Sequence, residues 1–156
     1  MLPRSAALVV GFVLLAACAG RSTALPVETI VIDTHKGEAT FRVEVARDIE
    51  SQERGLMNRR HMAPDVGMLF DFHRAQFVTF WMKDTYIPLD MLFVRADGTI
   101  STIAPHATPM STDPIRSAEP IVVVIEVNGG RAHDLGIEPG NKVHAAEFGE
   151  PGRTGH

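Results

Sequence analysis

The chain has one cysteine, one tryptophan and one tyrosine in 156 residues, so no internal disulfide can brace it and its fold must rest on packing. Charge of one sign is not concentrated anywhere. Fifteen lysines and arginines stand against 19 aspartates and glutamates, and Arg59-Arg60 is the one adjacent basic pair. No stripe is available to neutralise a phosphate backbone, which argues against nucleic acid as a partner. The longest apolar run, Ala6–Ala17, is too short to cross a bilayer core, which takes about 20 residues. Familiar catalytic signatures are missing as well. Ser51, Ser101, Ser111 and Ser117 have no Gly-x-Ser-x-Gly or Ser-x-x-Lys setting. The histidines form no His-x-His or His-Glu-x-x-His, and there is no Rossmann fingerprint or Walker lysine. No internal repeat is present.

What is there begins with an export signal. Arg4 supplies a positive n-region, the short apolar run follows, and Leu15-Ala16-Ala17 stands directly before Cys18. Leu-Ala-Ala-Cys resembles a bacterial lipobox, in which the cysteine is acylated and becomes the new N-terminus. An ordinary secretory signal with an incidental cysteine is the alternative. Removing residues 1–17 from 156 leaves 139, enough for one domain with one core. Losing Arg4 moves the formal charge from -4 to -5. Residues 18–26 read as a lipidated N-terminus and short tether, 27–148 as the domain, and 149–156 as a glycine-rich tail. Ala19, rather than an acidic residue, follows the cysteine, as in lipoproteins carried to the outer membrane.

Within the domain the patterns are mostly those of strands. Val27–Ile32 reads as a strand, a polar turn follows at His35-Lys36-Gly37, and Ala39–Val45 alternates, predicting a hairpin. Asp48 predicts the cap of a short helix through Arg54, with Gly55 as its stop. Residues 56–66 are irregular. Gly67–Phe72 and Phe77–Met82 are apolar runs separated by four residues, which predicts an antiparallel return and a second strand buried on both faces. Leu89–Val94 and Thr99–Ala104 flank Asp97-Gly98, a hairpin turn. Residues 105–119, with three prolines, read as a long ordered or mobile loop. Ile121–Val127 is the strongest strand signal. Asn128 is placed as cap of a helix from Gly129 to Leu135, and Lys142–Ala146 as a last strand. The fold class expected is mostly β with short helices (α+β), a curled antiparallel sheet or incomplete β-barrel.

Several of these segments carry a recognisable order. Arg54-Gly55-Leu56-Met57, Gly67-Met68-Leu69-Phe70, Phe80-Trp81-Met82-Lys83-Asp84-Thr85 and Ile87-Pro88-Leu89-Asp90 resemble the DUF192 (UPF0127) family. Ile125-Glu126-Val127-Asn128-Gly129-Gly130 and Leu135–Gly140 fit the closing part of the same pattern. The resemblance covers about residues 30–147. It implies a small β-rich domain of bacterial envelopes and archaea, and it implies no reaction, cofactor or partner. Asp84 stands where family members usually carry asparagine, and Ile115-Arg116 where a Tyr-Pro-like pair is common.

Arg54, Lys83, Asp84, Thr85 and Asp90 form the candidate ligand-lining cluster, at the end of the most aromatic segment. The alternative reading makes Asp84 and Asp90 acceptors of backbone N–H groups around the Thr85–Pro88 turn. Met57, Met62, Met68 and Met82 with His61 would suit Cu(I), but Met68 and Met82 lie in apolar runs typical of core methionine. No cofactor or metal is expected. The functional expectation is a non-catalytic envelope module that binds a small polar ligand or a protein partner, touching the membrane through lipid on Cys18. The alternative is a small hydrolase-like acid–base enzyme using Asp84 or Asp90 with Lys83. Trp81 is expected in one core with Phe70, Phe80, Phe93 and Ile125.

Overall fold

The structure, a computed structural model, describes residues 24–148. The export signal, Cys18 and the tail lie outside the described residues. The clean alternation at the start of the domain folds as expected. Strands β1 (Val27–Thr34) and β2 (Gly37–Ala46) pair antiparallel across the turn at His35-Lys36. Helix α1 (Ile49–Arg54) follows. The Asp48 carboxylate caps it by accepting the Ser51 N–H at 2.8 Å, and Gly55 ends it.

Strand β3 (Val66–Gln76) returns parallel to β2, not antiparallel. A parallel pair needs a long crossover, and residues 47–65 provide it, laying α1 over one side of the sheet. Strand β3 runs on through residues 73–76, so the expected return there does not occur. A register shift between Asp71 and Gln76 and a left-handed φ of 60° at His73 bend the strand instead.

The expected buried strand at Phe77–Met82 is also corrected. Only β4 (Thr79–Phe80) is extended, and it pairs with β7 (Ile115–Arg116) in a separate two-stranded ribbon. Residues 105–119 are accordingly stitched down. The Ser117 N–H donates to the Val78 carbonyl, Met82 N–H to Ser111, and Met110 N–H to Thr85. Trp81 is 51 % exposed and Phe77 69 %, because this segment rides over the sheet and not within it.

Strands β5 (Leu89–Val94) and β6 (Ile100–Ala107) form the hairpin predicted by Asp97-Gly98. Strand β8 (Ile121–Asn128) lies between β5 and β3. After it come α2 (Arg131–Leu135), β9 (Val143–His144) and one 3-10 turn, Ala146–Phe148. The seven-stranded order is β6-β5-β8-β3-β2-β1-β9, a curled sheet that makes a half-barrel. Residues 140–144 draw its two edges together at one end. Val143 and His144 pair with β1, while Ile100 N–H donates to Asn141 and Val143 N–H to Gly98 on the β6 side.

One face of this sheet gathers buried side chains from all seven strands, among them Ile32, Val43, Leu69, Leu92, Ile100, Ile125 and Val143. A face shared by both edges is the inside of the curl. The outer face buries Met68, Phe70, Met91, Phe93 and Val124 under Leu56, Met62, Val78 and Met82 from the crossover and the β4 segment. Strands β5 and β8, and the first half of β3, are therefore buried on both sides. No described helix is long and apolar enough to cross a membrane.

The packing separates two aromatic residues that composition alone would treat alike. Phe93→Ala should cost about 3–5 kcal/mol in urea denaturation, as expected for emptying a closed site. Trp81→Ala should cost less than about 1 kcal/mol, as a surface substitution does. Equal losses would refute the assignment of Trp81 to the rim.

Candidate functional site

An open cleft of about 570 Å³ lies on the outer face of the sheet. Helix α1 contributes Ile49, Gln52, Glu53 and Arg54 to one wall. The opposite wall is Phe77 to Trp81 with Lys83 and Thr85, and Phe70 and Phe72 of β3 lie between. Gly55 makes the first wall possible. Its φ of 46° suits glycine, and a Cβ there would sit 3.3 Å from the Phe70 ring. Phe80 is the hub of the aromatic surface. It meets Phe70 edge-to-face at 5.1 Å between centroids, and Phe72 and Phe93 each at 6.3 Å. Lys83 places its ammonium 5.5 Å from the centre of the Trp81 ring.

The floor of the cleft contains Glu126, from the middle of β8. Its cross-strand neighbours are Met68 and Met91, neither of which can hydrogen-bond strongly. Strand β3 reaches this close to it because position 67 is glycine; a Cβ there would lie 2.5 Å from the Glu126 carbonyl oxygen. The side chain of Glu126 is 4 % exposed. Among the described residues its carboxyl meets no hydrogen-bond donor, and burial alone pushes its pKa up to about 8. At pH 7 it is mostly a neutral acid. A single acidic residue inside the otherwise apolar run Ile121–Val127 was the available sequence signal, and it points to this carboxyl rather than to the ones singled out.

The five residues expected to line one site divide into two groups. Arg54, Lys83 and Thr85 line the cleft; Asp84 and Asp90 do not. Thr85 is also a structural staple. Its hydroxyl donates to the Lys83 carbonyl at 3.1 Å, and its backbone bonds Met82 and Met110. Asp84 has a left-handed φ of 53°, and its carbonyl accepts the Asn58 N–H at 2.7 Å, joining the two loops above the cleft. Asp90 is wholly buried. One of its oxygens accepts the His106 N–H at 2.8 Å and the other the Ala132 N–H at 2.9 Å. Asp90 thus caps α2 from a distance. Asn128, expected in that role, donates to the carbonyls of Met62 and Ala63 instead, and Gly130 takes the cap position.

Other charged groups serve the frame. Arg47 donates to Glu28 at 2.8 Å and to Glu147 at 2.6 Å, and lies 3.5 Å from Asp71, pinning the last 3-10 turn to the sheet. Met62, Met68 and Met82 are core residues on the outer face. No group of three or more His, Cys, Asp or Glu with metal-holding geometry occurs among the described residues.

Glu126 gives a pH signature with a definite sign. Its pKa rises on folding, so the folded state holds the proton more tightly than the unfolded chain. Its contribution is complete below the ordinary carboxyl range, falls as pH rises, and levels off above about 8. Glu126→Gln should match the parent at pH 3.5 and exceed it by about 2 kcal/mol or more at pH 8.5 in urea denaturation. Parallel pH profiles for the two proteins would refute the burial of an unpaired carboxyl.

Comparison with known proteins follows the same boundaries. The DUF192 family model, described as an uncharacterized ACR, matches residues 31–145. A search of curated proteins found no match. Among solved structures, a candidate transcription regulator from Sinorhizobium meliloti 1021 is 46 % identical with a TM-score of 0.77. The match covers 80 % of this chain and 97 % of that one. A protein of unknown function from Novosphingobium aromaticivorans DSM 12444 is 38 % identical, also with a TM-score of 0.77, over 80 % of this chain and 89 % of its own. With a half-barrel, an outer aromatic cleft and a family match that spans nearly all the described residues, the chain belongs to the DUF192 family.

Proposed function

We propose that this protein is a non-catalytic binding module of the bacterial envelope, held at a membrane by lipid on Cys18, which receives a small polar ligand in the α1 cleft. The observation that carries the reading is the Glu126 carboxyl, from a residue 4 % exposed that lines an open aromatic cleft, with no protein group hydrogen-bonded to it. A carboxyl that lines a cleft and has no protein partner is available to a ligand. Arg54, Lys83 and Thr85 add polar contacts near the mouth, while Phe72, Phe80 and Trp81 offer area.

Recognition is favoured over proton-transfer chemistry. Asp90 spends both oxygens on backbone N–H groups, and Asp84 stands outside the cleft. No serine, cysteine or histidine is among the described residues that line it. A formal charge of -4 without a basic stripe gives little purchase on a phosphate backbone.

The envelope placement rests on Arg4, the short apolar run and Leu15–Cys18. Several acyl chains at about 0.8 kcal/mol per buried CH₂ make a durable anchor. Ala19 supports the outer membrane as its destination, with the domain on the periplasmic side. Palmitate fed to cells should label the parent protein and not Cys18→Ala; an unlabelled, freely soluble parent would end the lipoprotein reading. A thermal-shift screen of envelope metabolites and cell-wall fragments should find compounds that raise the melting temperature, with the gain reduced in Lys83→Ala. If no compound does so, and membrane pull-down recovers a protein contacting residues 105–119, an adaptor role replaces the ligand site.

A further inference from the structure

Three properties of the cleft restrict the chemistry of what it can hold. The charges at its mouth cancel. Arg54 lies 3.7 Å from Glu50 and beside Glu53, and Lys83 is turned onto the outer ring of Trp81. Two cations and two carboxylates leave the mouth close to neutral, so the uncompensated ionisable group is Glu126 at the floor. The wall above it is aromatic, and ring faces attract cations. The approach of Lys83 to Trp81 is one such contact, already made by the protein itself. Finally, the groups that pack directly beside Glu126 carry no charge. Met68 and Met91 are its cross-strand partners, α1 brings Glu53 and Arg54 to the cleft, and the 77–85 segment brings Lys83. None of these is hydrogen-bonded to the Glu126 carboxyl.

We propose that the cleft takes a small organic amine, its charged nitrogen seated against the Glu126 carboxyl and its apolar part laid against Phe70, Phe72 and Phe80. The assignment rests on the reading of this cleft as a ligand site. In the empty cleft the carboxyl holds its proton, so no bare charge is buried. On binding, the proton leaves to solvent and the carboxylate forms an ion pair with the ammonium: COOH plus RNH₃⁺ gives COO⁻·H₃N⁺R plus H⁺. No bond in the ligand changes. The ion pair forms at a residue only 4 % exposed whose carboxylate has no competing protein partner, so its strength exceeds that of a surface pair. An anionic ligand of the same shape would face a carboxyl that can offer it one proton only. Binding of the amine is linked to pH with a fixed sign. The ligand must displace a proton held with a pKa of about 8, so affinity rises with pH and levels off above that value.

Phenethylamine and phenylacetate test this, since they share a ring and chain and differ in charge. The full-length protein in detergent carries one tryptophan, Trp81, at the rim of the cleft, and its emission reads occupancy directly. Phenethylamine should bind at least about tenfold more tightly than phenylacetate, a difference of about 1.4 kcal/mol. Calorimetry in two buffers at pH 7 should show release of close to one proton. Affinity should rise roughly tenfold from pH 6 to pH 7, as the linkage requires. Glu126→Gln should weaken phenethylamine at least about tenfold while melting no lower than the parent, which shows that the fold survives. Phenylacetate binding as tightly as the amine, no proton release, or an unaffected Glu126→Gln would each overturn the amine assignment. If neither probe binds but the metabolite screen yields a ligand that protects the cleft, the amine class falls and the ligand site stands. If the screen also yields nothing, both fall.

Discussion

Strand β8 has no face in water, and the architecture is arranged around that condition. Val123, Ile125 and Val127 fill the curl, while Val124 and Glu126 point outward into a second buried layer. A sheet that only had to fill its concave side could leave its convex side polar, as many antiparallel sheets do. Here the crossover between β2 and β3 cannot be avoided once those strands pair in parallel, so α1 and residues 55–65 must lie on the convex side. The outer layer they begin is completed by the β4 segment and residues 105–119. The cleft is the gap left where these two covers do not meet.

Asp90 solves a related problem at the start of β5. His106, in the irregular last part of β6, and Ala132, at the start of α2, present backbone N–H groups that have no strand partner. One carboxylate satisfies both. Charge-assisted bonds of this kind are worth more than neutral ones, and a buried acceptor with two donors keeps its geometry. The same side-chain type therefore plays opposite parts in two neighbouring strands. Asp90 is buried because it is answered, whereas Glu126 has no protein donor and lines the cleft.

Much of the frame was legible in the chain because its signals are local. Alternation fixed the first hairpin, Asp48 and Gly55 bounded α1, Asp97-Gly98 marked the β5–β6 turn, and the β-branched run announced β8. What was not legible depended on partners distant in sequence. Parallel pairing of β2 with β3 has no local signature. Apolar density at Phe77–Met82 does not distinguish a core strand from the aromatic rim of a cleft, and short apolar runs are ambiguous on periodicity alone. The residues near Lys83 drew attention because polar groups clustered there in sequence, yet Asp84 and Asp90 face elsewhere. Glu126 interrupts an apolar run, and that signal acquires its meaning from the covering of β8 on both sides.

The closure at residues 140–144 has a consequence for how the molecule meets others of its kind. An open sheet edge is a row of unpaired amides that can template a neighbour, and this sheet has two. At one end the short segment after Pro139 occupies both, holding β1 on one side and the start of β6 on the other. Farther along β6, Pro105 removes an amide from the edge, and the register shifts against β5 break its regularity. A chain ending before Pro139 would keep its hairpins and most of its hydrophobic interior, yet present two ladders at once. Such a fragment would be sticky rather than unfolded, and the few residues that seal the half-barrel act as its guard against self-association.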